Sequence, residues 1–409
     1  MFNKEKTKVI NLGCRLNFFE SEVINGILSH KKHENKIVVN TCAVTNNAVQ
    51  KSILEIRKLA KHFPDKEIIV TGCASQVEKD LFKNLKNVHR IIDNKHKTLP
   101  DSYESETNLV EKKYEFPELL NGESKRTRAT IQIQQGCNHR CTFCIIPYGR
   151  GNSRSVKTEN VIQNIRLALS KGMKEIVLTG VDLTSWGKDL GKGESLGILI
   201  KSIFKLIPKL PRLRVSSIDP AEIDHDFMDV LQNEERLMPH LHLSIQHGDD
   251  LILKRMKRRH LFRDVINFVE ESKRRRPDVI FGGDFISGFP SENYKAHQNT
   301  IKLIKEADIK FAHVFPFSQR PGTPASKMKM LSKTIISNRS RELRELSKKN
   351  IELFLNNLIG SSQRVLIENH NSGYSPQFVK VQFDQKIEPG KIVNANIVKS
   401  EKFFLRATL

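Results

Sequence analysis

The sequence lacks long apolar runs and is poor in aromatic residues. Of its 409 residues, 38% are hydrophobic and 7% are aromatic, with a single tryptophan. No stretch approaches the ~18 consecutive apolar residues that a membrane-spanning helix needs. The first residues, "MFNKEKTKVINLGC", hold no apolar segment long enough for a secretory signal peptide. These absences predict a cytoplasmic protein without a membrane partner.

Common signatures of hydrolytic and nucleotide chemistry are also missing. No histidine belongs to an HExxH zinc-protease pattern. The glycine-rich stretch "FGGDFISGFP" is not followed by the Lys-Ser/Thr pair of a phosphate-binding loop, so its glycines are interpreted as close backbone approaches. His240 and His242 lie two residues apart on a predicted strand, and they are interpreted as structural.

Cysteine is scarce, and its distribution is uneven. The chain has six cysteines in two separate sets of three: Cys14, Cys42 and Cys73, then Cys137, Cys141 and Cys144. Thiols stay reduced in the cytoplasm. The six residues are therefore predicted to be metal ligands or reactive thiols rather than partners in disulfides.

Positive charge, by contrast, is abundant. The chain has 68 Lys and Arg against 46 Asp and Glu, a net charge of +22. Such an excess favours a nucleic-acid partner, because each neutralised phosphate releases a counterion. The alternative is that a lysine-rich composition only keeps the protein soluble. The charge is concentrated in three stretches: "KRMKRRH" (254–260), "SKRRR" (272–276) and "RSRELRELSKK" (339–349).

The first hundred residues contain a loose repeat. "KVINLGC", "KIVVNTC" and "EIIVTGC" are β-branched runs that each end in a cysteine, and helical stretches are predicted between them at 19–31 and 47–62. Parallel strands separated by helices bring their carboxyl ends to one sheet edge, where ligands bind. The repeat therefore predicts that Cys14, Cys42 and Cys73 meet at that edge. The alternative is three buried cysteines that act as small hydrophobic residues.

The rest of the chain alternates strands and helices and then changes character. Six βα-type repeats predict an open-sided parallel barrel, since a complete one needs eight strands. The pattern of residues 358–409 is typical of short alternating strands separated by turns, which predicts a small β-barrel or sandwich. The fold class is thus α/β with four predicted segments: an N-terminal domain at 5–96, a linker at 97–125, a central domain at 126–357 and a small β domain at 358–409.

The second cysteine set has the spacing C-x3-C-x2-C in "GCNHRCTFC" (136–144). Three thiolates from one loop converge on one centre and leave a further metal position open for a substrate, as an iron–sulfur cluster does. A zinc ion is the alternative, with His139 as the fourth ligand. The loop follows the first barrel strand, at the end where such barrels place active sites.

C-x3-C-x-aromatic-C at this place resembles the radical S-adenosylmethionine (SAM) superfamily. The resemblance implies that Cys137, Cys141 and Cys144 hold a 4Fe–4S cluster. It implies that the amino and carboxylate groups of SAM chelate the fourth iron, and that one-electron reduction releases a 5′-deoxyadenosyl radical. Such chemistry belongs to the cofactors, while the protein binds and orients them.

The whole chain is similar to one branch of that superfamily, the methylthiotransferases. "NLGCRLNFFESE", "VNTCAVTNNAV" and "VTGCASQ" resemble the family's N-terminal domain. This implies a second 4Fe–4S cluster on Cys14, Cys42 and Cys73, with an open iron that carries the sulfur to be donated. One SAM would methylate that sulfur and another would supply the radical. The C-terminal module resembles the TRAM domain, a small RNA-binding barrel.

Two stretches, "NTCAVT" and "VFPFSQRPGTPA", resemble the subgroup that acts on N6-threonylcarbamoyladenosine in tRNA. The implied partners are a tRNA anticodon stem-loop and an electron donor such as flavodoxin or ferredoxin. The implied product carries a methylthio group on C2 of the base. The alternatives are action on isopentenyladenosine in tRNA, action on a ribosomal-protein aspartate, and a non-catalytic iron–sulfur RNA-binding protein.

Polar residues at predicted strand ends are the candidate SAM contacts, together with an aromatic residue of the cysteine loop. For each, the alternative is a turn or helix cap. The superfamily often has Gly-Gly-Glu after the second strand, where this chain has Thr-Gly-Val-Asp. The candidates are Phe143, Thr179, Gly180, Asp182, Ser217, Asp219 and Gln246. For RNA, the basic residues of 254–259 and 272–276 are the candidate phosphate contacts, and the target base must leave its stack.

Overall fold

The structure is a computed structural model that describes residues 9–29, 34–104, 116–117 and 126–409. In these ranges, no helix combines the length and the apolar character that crossing a bilayer requires.

The first domain is a four-stranded parallel sheet in the order β1-β2-β3-β4, with helices between the strands. Strands β2 and β3 are buried over all but their first residue, as expected for a sheet covered on both faces. The elements are β1 Val9–Asn11, α1 Arg15–Ile27, β2 Lys36–Thr41, α2 Asn46–His62, β3 Glu67–Gly72, α3 Cys73–Val77, α4 Lys79–Lys83 and β4 Val88–Ile91.

Local sequence explains where α2 begins and which face it buries. The Thr45 hydroxyl accepts a hydrogen bond from the backbone N–H of Ala48 at 3.1 Å, a side-chain cap. Val49, Ile53 and Ile56 recur every three or four residues and are buried against the sheet. The predicted helix at 47–62 agrees with this element to within one residue.

The start of the predicted linker packs against the first domain. Lys97 and Tyr103 are fully buried. The Lys97 ammonium donates to the Glu20 carboxylate at 2.5 Å, and the Tyr103 hydroxyl donates to the Lys97 carbonyl. The domain therefore continues to at least Tyr103, because a buried cation needs the buried acid of α1 as its partner. Residues 105–115 and 118–125 of that predicted linker lie outside the described residues.

The central domain contains the predicted six parallel strands with helices between them. Neighbouring strands pair in chain order, and a break at Ser216 divides the third strand into β9 and β10. The elements are β5 Arg128–Gln132, β6 Gln134–Gln135, α5 Ile146–Arg150, β7 Arg154–Ser155, α6 Thr158–Ser170, β8 Glu175–Thr179, α7 Leu196–Leu206, β9 Arg212–Val215, β10 Ser217–Ile218, α8 His225–Asn233, β11 His240–Gln246, α9 Asp250–Arg255, α10 Phe262–Arg275, β12 Ile280–Ser287, α11 Tyr294–Glu306, β13 Ile309–Pro316 and α12 Lys333–Asn356.

The first domain borders the open side of this partial barrel. Among the described strands, β5 pairs only with β8 and β13 only with β12, so a gap separates the two edge strands. Helix α1 packs on β5. On the other side of the gap, the backbone N–H of Asn46 donates to the Ser318 hydroxyl at 2.9 Å, and Arg320 forms an ion pair with Glu78. The carboxyl edge of the first sheet thus faces the barrel mouth.

The C-terminal segment is a closed five-stranded barrel in the order β14-β15-β16-β18-β17, as the alternating pattern predicts. It packs at the opposite end of the central strands, where the Arg214 guanidinium donates to the Ser375 carbonyl at 3.0 Å. Its core also includes Ile280 of β12 and Phe354 of α12. The strands are β14 Ser362–Asn369, β15 Ser372–Tyr374, β16 Lys380–Gln382, β17 Ile392–Glu401 and β18 Phe404–Thr408.

Candidate active site

The first cysteine set lies at the carboxyl edge of the N-terminal sheet. Cys42 and Cys73 directly follow β2 and β3, and Cys14 comes three residues after β1. Burial, together with the neighbouring Cys73 and Cys14 sulfurs, raises the pKa of the Cys42 thiol to about 11, although a backbone hydrogen bond and Arg150 offset part of the increase. That mutual influence shows that the three sulfurs converge.

The second set lies on the loop after the first barrel strand. Backbone hydrogen bonds fix the loop: the Cys137 N–H donates to the Gly151 carbonyl at 3.1 Å, and the Cys144 N–H donates to Cys141 at 3.0 Å. Burial is the main cause that raises the pKa values of Cys137 and Cys144 to about 12, and nearby negative groups, including the other thiols of the loop, contribute to this increase. Ionised thiolates here therefore need a compensating metal centre.

The spacing of the sulfurs tests which metal centre fits. Tetrahedral zinc with Zn–S bonds of about 2.3 Å holds its sulfurs roughly 3.8 Å apart. In the part of the chain that the structure describes, neither cysteine set has all three sulfurs within 4.8 Å of one another. Both sets are too open for one zinc ion, and their all-sulfur ligands suit an iron–sulfur cluster.

His139 does not complete a zinc site with the three cysteines. Its Nε2 atom lies 2.9 Å from an Asp182 carboxylate oxygen and 3.5 Å from a Glu222 oxygen. Cys137, His139 and Asp182 do place ligand atoms within 4.8 Å of one another, but this group contains only one of the loop's thiols. Burial alone would raise the pKa of Asp182, whereas hydrogen bonds from His139 and Ser185 lower it below its usual value.

A buried arginine connects the central domain to the first cysteine set. Arg150 of the central domain places Nε 3.1 Å from the Cys73 sulfur. Its two terminal nitrogens reach Glu20 at 2.8 and 2.9 Å and Asn17 at 2.6 Å, both on α1. The Cys73 sulfur also influences the pKa of Cys144. The two sets therefore face each other across the contact between the domains.

A second arginine lies beside the cysteines of the barrel loop. The Arg258 guanidinium lies 3.6 Å from the Cys141 sulfur and donates to Asp219 at 2.6 Å. Burial raises the pKa of Asp219, but His260 and Arg258 together lower it to about 2. Asp219 is thus an ionised anchor that orients a cation toward the cysteine loop. Arg258 belongs to the stretch predicted to contact phosphates, and its buried position gives it this role instead.

A cavity of about 220 Å³ lies between the two cysteine loops. Phe143 of the second loop lines one part, and Val44 and Thr45, directly after Cys42, line another. The ends of β11, β12 and β13 complete it with Gln246, Asp284, Ile286, Phe315, Pro316, Phe317 and Ser318. A ligand in this cavity is enclosed by both domains.

The remaining predicted SAM residues lie on the same side of the barrel. Thr179 ends β8 and is buried. At Gly180, an added Cβ would come within 2.9 Å of Gln134 Oε1, an oxygen that also accepts from the Val181 and Asp182 N–H groups at 2.9 Å. Ser217 on β10 pairs in register with His242.

Three polar residues on neighbouring strands form a group that sequence reasoning missed. His242 Nε2 lies 3.0 Å, and His313 Nδ1 3.4 Å, from one Asp284 oxygen. Burial alone would raise the pKa of Asp284, but these two imidazoles hold it well below its usual range. Asp284 is therefore an ionised group at the cavity wall. The prediction that His242 is structural overlooked this group, because the partners are more than 40 residues away in the sequence.

A second cavity lies elsewhere, and none of the cysteines or their charged partners line it. It measures about 540 Å³ and lies between the central and C-terminal domains, with Arg212, Arg236 and Pro376 in its wall. No cysteine lines it. The cavity between the cysteine loops is therefore the better candidate for the reaction site.

An open barrel of six parallel strands, with a three-cysteine loop after the first strand, defines a radical SAM enzyme. The family model described as the radical SAM superfamily matches residues 131–304, and a model described as uncharacterized protein family UPF0004 matches residues 6–93. The fold is similar to the radical S-adenosylmethionine methyltransferase TsrM from Kitasatospora setae, with a TM-score of 0.54 and 14% identity over 76% of this chain and 69% of that chain.

Within this class, the chain belongs to the radical SAM methylthiotransferases. It is 40% identical to the threonylcarbamoyladenosine tRNA methylthiotransferase MtaB of Rickettsia prowazekii (strain Madrid E), over 100% of this chain and 99% of the relative. Identity is 33% to the MtaB of Aquifex aeolicus (strain VF5), over 94% and 98%. It is 30% to a tRNA-2-methylthio-N(6)-dimethylallyladenosine synthase of Neorickettsia sennetsu (strain ATCC VR-367 / Miyayama), over 99% and 93%. Enzymes of this family use SAM and two 4Fe–4S clusters.

Proposed function

We propose that this enzyme adds a methylthio group to C2 of N6-threonylcarbamoyladenosine next to the anticodon of tRNA. One observation carries the proposal. The two stretches that resemble the threonylcarbamoyladenosine subgroup, one around Thr45 and one around Phe315 and Ser318, line a single cavity between the two cysteine sets. The names of the relatives from Rickettsia prowazekii and Aquifex aeolicus support the same substrate.

The six cysteines divide into two proposed cluster sites. Cys137, Cys141 and Cys144 would hold the cluster that binds SAM, and Cys14, Cys42 and Cys73 would hold the auxiliary cluster. When bound, the clusters and SAM supply the radical and the sulfur chemistry that replaces an aromatic C–H bond by C–S. Phe143, Gln246 and the other predicted strand-end residues remain the proposed SAM contacts.

The chain's own residues bind, orient and shield these groups. Arg150 places its charge against the Cys73 sulfur, and Arg258 does the same at Cys141. Cations beside thiolates offset their negative charge in a buried site. Phe143 and Phe315 both line the cavity, and aromatic side chains there suit stacking with an unstacked base.

Exposed cations beside the cysteine loop are the proposed tRNA phosphate contacts. Lys254, Arg255 and Lys257 are exposed on a turn whose backbone bonds to Thr142 of the loop, through the carbonyls of Arg255 and Met256. The cluster at 272–276 suits this role less well, because Arg274, Arg275 and Arg276 form ion pairs with Glu271 and Asp278. The C-terminal barrel is proposed to bind the stem-loop.

One further partner and a location follow from the proposed reaction. Reductive cleavage of SAM needs a one-electron donor, and a flavodoxin or a ferredoxin is the proposed class. The proposed location is the cytoplasm, because the proposed substrate is a tRNA.

Nucleoside analysis tests the substrate. Purified enzyme is supplied with SAM, reductant, and anticodon stem-loops that carry either threonylcarbamoyladenosine or isopentenyladenosine. We expect the 2-methylthio product from the first substrate only. Product from isopentenyladenosine alone would overturn the proposal and support the activity named for the relative from Neorickettsia sennetsu.

Cysteine variants test the division of labour between the two sites. Cys137→Ala should abolish 5′-deoxyadenosine formation. Cys42→Ala should retain it while stopping methylthiolation, because only the auxiliary site is lost. If Cys42→Ala still modifies stem-loops over repeated turnovers, the proposed assignment of the two sites is wrong.

A further inference from the structure

One cation in the lumen of the central barrel is unpaired among the residues that the structure describes. Arg15 directly follows the cluster ligand Cys14 and is the first residue of α1. Solvent reaches its side chain. It is nevertheless surrounded by the barrel: desolvation and Arg128 lower the pKa of Arg15, while Glu175 and Asp284 raise it. A side chain that is both accessible and enclosed lies in an open lumen rather than on the outer surface.

The other arginines in this lumen are paired. Glu175 is fully buried, and its carboxylate lies 2.6 Å from Arg128, 2.8 Å from Arg214 and 3.6 Å from Arg212. Among the described residues, the Arg15 guanidinium has neither an ion pair nor a hydrogen bond. It lies over the Phe378 ring, with Cζ 5.7 Å from the centroid.

The nearest acid on the cavity side is already engaged. Asp284 acts on Arg15 electrostatically, but its carboxylate is bonded by the imidazoles of His242 and His313. Asp284 also lines the cavity between the cysteine loops. Arg15 therefore lies within electrostatic reach of a carboxylate that lines the proposed substrate cavity, and among the described residues no group occupies its donors.

We propose that Arg15 binds the free carboxylate of the threonylcarbamoyl group and so selects an acidic N6 substituent over a hydrocarbon one. This inference rests on the proposed function and adds a specificity residue to it. A guanidinium donates two parallel hydrogen bonds to a carboxylate, a geometry that a neutral isopentenyl group does not satisfy. Because Arg15 directly follows Cys14, the residue that recognises the substrate is adjacent in the chain to a ligand of the auxiliary cluster.

The test compares two substrates with three variants. The substrates are stem-loops with threonylcarbamoyladenosine and with its carboxamide analogue, which removes the charge and keeps the shape. The variants are Arg15→Gln, Arg15→Lys and the matched control Arg126→Gln. Arg126 stacks on Phe18 of α1 at 4.4 Å and pairs with Glu22 of the same helix, so its loss removes an equal charge at another position beside α1.

For Arg15→Gln we expect KM for the carboxylate substrate to rise about 10- to 100-fold, with kcat changed much less, since a charge-assisted contact is lost. Wild type should prefer the carboxylate to the carboxamide by a similar factor, and Arg15→Gln should treat both alike. Arg15→Lys should keep part of the preference for the carboxylate substrate. The control Arg126→Gln should keep all of it. Iron content and substrate-free cleavage of SAM should match wild type.

Two outcomes overturn the inference. In one, wild type uses both substrates equally well, a result that needs no variant and is independent of folding. In the other, an iron-replete Arg15→Gln keeps the wild-type preference. If wild type does not modify the threonylcarbamoyladenosine stem-loop at all, the proposed function itself fails, which is a distinguishable result.

Discussion

At the scale of single residues, buried cations define the site as much as the cysteines do. Arg150 has a fully buried side chain that bonds Cys73, Glu20 and Asn17 across the domain contact. Glu20 is also fully buried. Burial raises its pKa, but Arg150 and Lys97 together lower it below the usual value. Removal of one partner from such a group leaves an uncompensated charge.

We therefore expect Arg150→Gln to destabilise the protein by about 3 kcal/mol and to weaken the auxiliary site selectively. Reconstitution should give about four irons per chain in place of about eight, while 5′-deoxyadenosine formation persists. Arg166→Gln is the matched control, because Arg166 is an exposed arginine of α6. Full iron content in Arg150→Gln would contradict this role.

At the scale of elements, backbone geometry at the first residue of the cysteine loop decides whether the second set can converge. Gly136 has φ of +73°, and an added Cβ would lie 1.9 Å from the Asn152 carbonyl oxygen. Gly172, at the turn after α6, has φ of +85° with nothing within 4 Å of an added Cβ. Both glycines have a left-handed backbone conformation, but only at Gly136 would an added Cβ collide with a neighbouring atom.

Gly172→Ala should cost roughly 1 kcal/mol of stability, from backbone strain alone, and should keep full activity. Gly136→Ala should lose 5′-deoxyadenosine formation and iron at the barrel site, since the loop must move away from the 151–152 turn. Thermal melting and iron assay of both variants check this. Equal behaviour of the two variants would show that the close contact at Gly136 does not matter.

At the scale of the whole molecule, the net charge is +22. Some of the cations behind this excess are exposed to solvent, and others form ion pairs within the chain. Lys254, Arg255 and Lys257 are exposed beside the reaction site, whereas arginines of 272–276 are paired within the chain. Counterion release makes RNA affinity depend on salt in proportion to the phosphates contacted.

Replacing Lys254, Arg255 and Lys257 together by Gln should weaken stem-loop binding and reduce the slope of log Kd against log salt by about 2. The matched control replaces three exposed lysines of α11: Lys295, Lys302 and Lys305. Its slope should stay close to that of wild type. Equal slopes for the two triple variants would place the RNA on another surface.

Much of this architecture could be predicted from local patterns. The strand–cysteine repeat placed Cys14, Cys42 and Cys73 at one sheet edge, because parallel strands share a direction and the interval between runs fits one strand–helix unit. The six barrel strands and the terminal β-barrel followed from short apolar and alternating runs in the same way. Each of these features is fixed by neighbours along the chain.

The sequence by itself thus determined the two sets of three cysteines and the order of the strands that lead into them. Only the tertiary structure decided that Arg150 meets Cys73 and Glu20, that His313 and His242 share Asp284, and that Arg15 has no ion pair within the described part of the chain. These contacts join residues from different strands and domains. Their formation depends on strand register and domain docking, which sum many weak packing terms that no short stretch of sequence contains.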